Sequence, residues 1–179
     1  MADTAIDKAD RKRAALLDHL VDHVLDHGLS NASLRPLAAA VGTSDRMLIY
    51  YFGDKATLIA RILTHGAGRM AAALEQAMPP SRRPWREVDR ELHQLVLSDQ
   101  LWPFMKLGIE IASRAAFGDE ICKLIGGQIF GGFVDWIASR IDVEGEEGYR
   151  LAAQMLRDKD AAAMLQAVGL ERINDLLAP

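Results

Sequence analysis

Residues 10–27, DRKRAALLDHLVDHVLDH, set the strongest constraint on the fold. At 100° per residue, Leu16, Leu17, Leu20, Val21, Val24 and Leu25 fall on one arc, and the Asp and His residues share the other. That is a helix with one face to bury. No stretch elsewhere sustains a period-two alternation of β-branched residues, and good helix formers dominate the chain. An all-α fold follows, punctuated by glycine and proline. Gly28 ends the first helix. Asn31 or Ser33 can cap a short second helix reaching Val41, with Pro36 tolerable in its first turn. Gly42 breaks the chain again, Ser44 caps a third helix over Met47–Phe52, and Gly53 stops it. Asp54 caps a longer helix running to Met78. Residues 79–84, PPSRRP, form a helix-breaking linker ahead of an amphipathic helix, WREVDRELHQLVLSD. Gly118 and Asp119 start another helix, ending near Ile141, and 142–148 is a charged loop. Two further helices are expected at about 146–158 and 160–177.

The chain has 179 residues, half of them hydrophobic, enough for a generous core. Its one cysteine, Cys122, excludes an intramolecular disulfide framework, fits a reducing cytoplasm, and reads as a small buried apolar residue. No segment combines a basic end, an apolar run and a small-residue cleavage site, so no signal peptide is expected. The most apolar stretch, LIGGQIFGGFV, falls short of the ~18 to 20 apolar residues of a membrane span. The formal net charge of −4 excludes a generally basic, nucleic-acid-coating protein, but it is unevenly spread. Through Gly66 eight Lys and Arg balance eight Asp, and the remainder carries 13 cations against 17 anions. A neutral head on an acidic body is compatible with DNA binding where a few cations are well placed.

Two short helices joined by a glycine-containing turn, inside a three-helix unit, make a helix-turn-helix, whose second helix enters the major groove N-terminus first. The hydroxyls of Ser33, Thr43 and Ser44, with the free N–H groups of the helix starts, suit phosphate oxygens. Asp45, Arg46 and Met47 project from the first turn of the second helix. There Arg46 can take a guanine edge bidentately and Met47 can touch a thymine methyl. Arg35 is a further base or phosphate candidate. Leu37, Ala38, Val41, Leu48 and Phe52 are the expected packing between the helices. Tyr50 and Tyr51 are adjacent, so both cannot point inward.

The run S33-x-R35-x-L37-A38-x-x-x-G42-x-S44, continued by L48-x-Y50-Y51-F52-x-x-K55-x-x-L58, resembles the DNA-binding signature of the tetracycline-repressor (TetR) family. The resemblance covers roughly residues 10–65. It implies an N-terminal DNA-binding domain over 1–53, a connecting helix over 54–78, and a helical ligand-binding and dimerisation domain over 79–179. It implies phosphate contacts from Ser33, Thr43, Tyr50 or Tyr51, and Lys55, and base contacts from Arg35 and the 44–47 turn. Two departures stand out. Ile49 occupies a position where the family usually has tyrosine, and Pro36 replaces the usual polar residue. Lys8, Arg11, Lys12 and Arg13 can add phosphate or minor-groove contacts. The expected partners are double-stranded DNA with a pseudo-palindromic operator, a second copy of the chain, and a small apolar effector that releases the repressor from DNA.

In the C-terminal part, a cavity would need apolar walls with a few polar anchors. Trp102, Phe104, Met105, Phe117, Phe130 and Trp136 are candidate walls, and His93, Glu110 and Gln128 candidate anchors. Gly126-Gly127 and Gly131-Gly132 within a helical pattern point either to close helix packing or to space around a ligand. His19, His23 and His27 recur every four residues, but no further ligand is identifiable, so they read as a solvated face and no metal is expected. No cofactor is implied. Neither a glycine-rich phosphate loop, a G-x-S-x-G elbow nor an H-E-x-x-H motif is present, which points away from an enzyme. The competing interpretation is a helical small-molecule-binding or protein-interaction module whose head no longer binds DNA.

Overall fold

A computed structural model describes residues 2–177, with side-chain surroundings from Lys12 onward. The side chains of Lys8 and Arg11 lie outside the described residues. The expected all-α architecture is observed. Helices α1 (Ala2–His27), α2 (Leu34–Ala40), α3 (Asp45–Phe52) and α4 (Lys55–Ala77) form the N-terminal part. Helices α5 (Trp85–Val96), α6 (Trp102–Ala116), α7 (Glu120–Ala138), α8 (Gly145–Ala167) and α9 (Glu171–Leu177) complete the bundle. Among the described residues there is no strand, only one bridge between Arg83 and Ile141 that ties the proline-rich linker to the end of α7.

The local signals act as their chemistry demands. Ser44 Oγ accepts the Met47 backbone N–H at 3.3 Å, and Asp54 Oδ1 accepts that of Thr57 at 2.7 Å. Those bonds satisfy donors at the starts of α3 and α4 and, at Asp54, hold the carboxyl below its ordinary range. Gly42 sits in the turn between α2 and α3 at φ 63°, a left-handed conformation that disfavours side chains. Ser33 begins α2 without a side-chain cap bond, while Asn31 Nδ2 donates to the His27 carbonyl at 2.7 Å and closes α1 instead.

Two boundaries differ from the sequence expectation. Helix α1 begins at Ala2 rather than near residue 10, because nothing before Asp10 breaks the helix. In the tail, α8 runs unbroken to Ala167, and the break falls at Gly169, φ 78°. The expected break between about 158 and 160 falls on Lys159, yet Lys159 is only 2% exposed and its Nζ donates to Asp89 Oδ1 of α5 at 2.6 Å. With that charge paired, the helix turn can be buried.

Leu20, Val21 and Val24 of α1 meet Leu37, Leu48, Phe52, Leu58 and Ile62 in one buried cluster. Leu107 and Ile111 of α6 and Cys122 and Ile125 of α7 belong to the same cluster, so the head's core continues into the bundle. A second cluster, including Met70, Leu74, Val88, Leu92, Met105, Ile137 and Met155, holds the far end together. Helix α4 contributes to both. Helix α7 is long and apolar enough, by length and composition alone, to cross a membrane, although the sequence run suggested it falls short. In the fold it packs against α4, α6 and α8.

Candidate nucleic-acid interface and bundle cavity

Helix α3 has two unlike faces. Leu48 is fully buried and Phe52 is 4% exposed, which locks the inner face onto α1 and α2. The outer face carries Ser44, Asp45, Arg46 and Tyr50, all exposed, with Met47 half-buried beside them. Ser33 and Arg35 on α2 and Lys55 at the start of α4 are exposed as well, and Thr43 is half-buried in the turn. All ten residues expected to meet DNA therefore lie in the α2–α3 unit or at the start of α4. The tyrosines separate. Tyr50 is 76% exposed. Tyr51 is half-buried against the head core, edge-on to both Tyr50 and Phe52, with Lys12 Nζ 5.5 Å from its ring centre. Tyr50 is thus the more exposed of the two rings, and Tyr51 has Lys12 beside it.

Glu110 of α6 does not serve the cavity. Its carboxylate accepts the Leu29 N–H at 2.7 Å and, at 2.9 Å each, the Ser30 N–H and Ser30 hydroxyl. Arg114 holds it from the other side at 3.6 Å. A Cβ at Gly28, φ 76°, would stand 2.8 Å from Glu110 Oε2, so glycine there answers both the backbone angle and the close approach. Glu110 is thus a latch between the bundle and the turn that leads into α2.

Between α4, α6, α7 and α8 lies a cavity of about 70 Å³. Four of the nine residues expected to form a pocket line it: Phe104, Met105, Phe130 and Trp136. The others lie elsewhere. His93 faces a separate recess beside Asp89 and Lys159, and burial together with the Lys159 charge lowers its pKa. Trp102 packs partly buried on the far core, Phe117 is 91% exposed at the end of α6, and Gln128 is exposed on α7. Sequence reasoning missed the α4 wall of Leu63, Gly66, Met70 and Leu74, and Asp160 of α8. Trp136 is pinned from behind, since its Nε1 donates to Glu75 at 2.6 Å and Arg140 reaches the same carboxylate. Of the four glycines on α7, Gly126 serves close packing, because a Cβ would come 2.8 Å from Ile111 Cγ2. Gly127, Gly131 and Gly132 face open space.

Asp160 is half-buried, and among the described residues it has no hydrogen-bond or ion-pair partner. Removal from water raises its pKa from 3.8 to about 6. Among the described residues, the other charged group on these walls is Lys159, which pairs with Asp89. Because the folded-state pKa is the higher one, stability from Asp160 is full below about 3.8 and is lost as pH rises through about 6. Asp160→Asn is therefore expected to raise the melting temperature by a few degrees at neutral pH, since 1 kcal/mol moves a chain of this size by about 2–4 °C. The gain should vanish in acid. Thermal unfolding across the pH range checks this, and a difference that ignores pH would contradict it.

The histidines of α1 show no convergence. His23 and His27 stack with ring centres 4.5 Å apart, His27 bonds the His23 carbonyl, and His19 is exposed. Cys122 is buried, which pushes its thiol up to about 11 and keeps it protonated.

Comparison with known proteins bears on this geometry. Residues 21–62 match the family described as bacterial regulatory proteins, tetR family, at its N-terminal domain. The matched span runs from α1 through the helix-turn-helix into α4. No curated protein matches the chain. The fold is similar to a crystal structure from Rhodococcus sp. described as a TetR-family transcriptional regulator, with a TM-score of 0.71 over 90% of this chain and 89% of that one. At 14% identity, that likeness speaks for the fold alone.

Proposed function

We propose that the chain is a DNA-binding regulator of the tetR kind, a homodimeric repressor released from a pseudo-palindromic operator by a small apolar effector, a reading supported by the match of residues 21–62 to that family's N-terminal domain. The observation that carries this reading is the outer face of α3. Ser44, Asp45, Arg46 and Tyr50 stand exposed on a helix whose inner face is locked by Leu48 and Phe52. Arg46 and Met47 read base edges, and Arg35 supplements them. Ser33, Thr43, Ser44, Tyr50 and Lys55 hold phosphates, and Tyr51 supports Lys12 at the same backbone. Two-fold symmetry sets the half-sites about 34 Å, or a multiple, apart. The outward face of α7, with exposed Leu124 and the open glycines 127, 131 and 132, suits close approach of a second copy.

Release follows from linkage. The resting cavity of about 70 Å³ is far smaller than the roughly 300–1,000 Å³ of ordinary ligand pockets, so an effector must move the walls to enter. Two of those walls reach the head: α4 directly, and α6 through Glu110. A ligand that prefers the opened bundle thereby favours a head spacing that does not fit the groove.

Arg46→Ala should weaken specific operator binding by about 1–3 kcal/mol, with a smaller effect on random DNA. A salt-dependent gel shift on the DNA upstream of the chain's own gene tests both points, since phosphate binding must weaken steeply with salt. Equal losses on specific and random DNA would refute base reading by Arg46. Absence of any salt-sensitive complex would favour the small-molecule-binding alternative.

A further inference from the structure

We propose that the cavity selects an apolar ligand bearing a single positive charge, held by the Asp160 carboxylate and the faces of the surrounding aromatic rings. The inference rests on the cavity being the effector site, and it names the effector's chemistry. Phe104, Phe130, Phe133 and Trp136 line the space, and the other walls are aliphatic or methionine. Among the described residues only two charged ones reach it, Lys159 and Asp160. Their situations differ. Lys159 is neutralised by Asp89 at 2.6 Å, and the indole N–H of Trp136 is committed to Glu75. An anionic ligand would therefore have to compete with Asp89 for the Lys159 charge. Asp160 has no partner among the described residues, so the wall carries one uncompensated negative charge.

A half-buried, unpaired carboxylate costs stability unless something compensates it. A ligand cation would supply the missing partner, and beside walls this apolar the attraction is stronger than in water. Aromatic rings add to it, because their faces attract quaternary and protonated amines. The apolar remainder of the ligand is held by the aliphatic walls, which discriminate little among shapes. Charge is therefore the property on which the site can select. The raised pKa of Asp160 is the signature of the same desolvation.

The test uses three probes with one alkyl chain: octyltrimethylammonium, 1-octanol and octanoate, each titrated calorimetrically into the full-length chain and its variants. The cation should bind at least tenfold more tightly than octanol, with octanoate weakest. Asp160→Asn should reduce cation affinity at least tenfold while leaving octanol unchanged or tighter. Asp160→Glu should restore the preference for the cation. Gly108→Phe fills the cavity, since a Cβ at Gly108 already lies 3.7 Å from the Phe130 ring, and should exclude cation and octanol alike. If cation and octanol tie in the unaltered chain while Gly108→Phe excludes both, the charge assignment falls and the cavity stands. A tightest-binding octanoate, or cation affinity indifferent to Asp160→Asn, also overturns the assignment. If the probes fail to bind, or bind regardless of Gly108→Phe, the cavity reading falls and the assignment with it.

Discussion

Lys159→Ala is expected to lower folding stability by about 3–5 kcal/mol, the usual consequence of removing one partner from a buried ion pair. The Lys159 side chain is 3% exposed and that of Asp89 13%, with 2.6 Å between Nζ and Oδ1. The loss is large because of what stays behind: a carboxylate in the α5–α8 interface with no cation and little water. The pair itself need not be a net gain. Lys159→Met combined with Asp89→Leu removes both charges and keeps apolar volume, and should recover most of the lost stability. Denaturant unfolding of the two single variants and the double variant measures the coupling. A Lys159→Ala loss under 1 kcal/mol would mean that water reaches Asp89 and that the two helices are packed less closely than described.

Leu48→Ala should cost about 2–5 kcal/mol and abolish operator binding, although Leu48 touches no DNA. Its side chain is fully buried in the cluster that contains Val24, Leu37 and Phe52. Truncation leaves a cavity at the point that sets the tilt of α3 against α2, and the neighbouring Arg46 and Tyr50 are aimed by that tilt. The contrast with Arg46→Ala is the informative part. Arg46 is exposed, so its loss should leave the melting temperature nearly unchanged and impair only recognition. Parallel thermal unfolding and DNA titration of the two variants separate positioning from reading. A Leu48→Ala protein that melts and binds normally would show that α3 is not anchored through its inner face.

The head was the legible part of the sequence because its signals are local. Gly42, Ser44, Gly53 and Asp54 act within three or four residues of themselves, and the structure places each at the boundary expected of it. The pattern of Leu48 and Phe52 inward with Arg46 and Tyr50 outward is a matter of helical period. The bundle was harder, since its determinants lie far apart in the chain. Glu110 looked like a ligand anchor, a polar residue amid apolar ones, but its partners lie 80 and 81 positions earlier. The expected break between about 158 and 160 fell on Lys159, whose partner Asp89, 70 positions away, is invisible to any local window. The register of Lys159 with buried Ala152, Met155 and Ala163 at helical spacing was the available clue. Placing a break there concealed it.

The latch at Glu110 has a consequence for avidity. Joined only through α4, each head would be free to swivel, and in the proposed dimer the second head would search many orientations after the first had bound. The latch, together with Leu107 and Ile111 of α6 packed into the head's core, attaches the head off the axis of α4 and removes much of that swivel. Engagement of the second half-site then resembles an intramolecular reaction at high effective concentration, provided the fixed spacing matches the operator. The same stiffness makes the arrangement unforgiving, because a small imposed change of spacing forfeits the chelate gain at once. Stiff coupling thus permits both tight grip and sharp release.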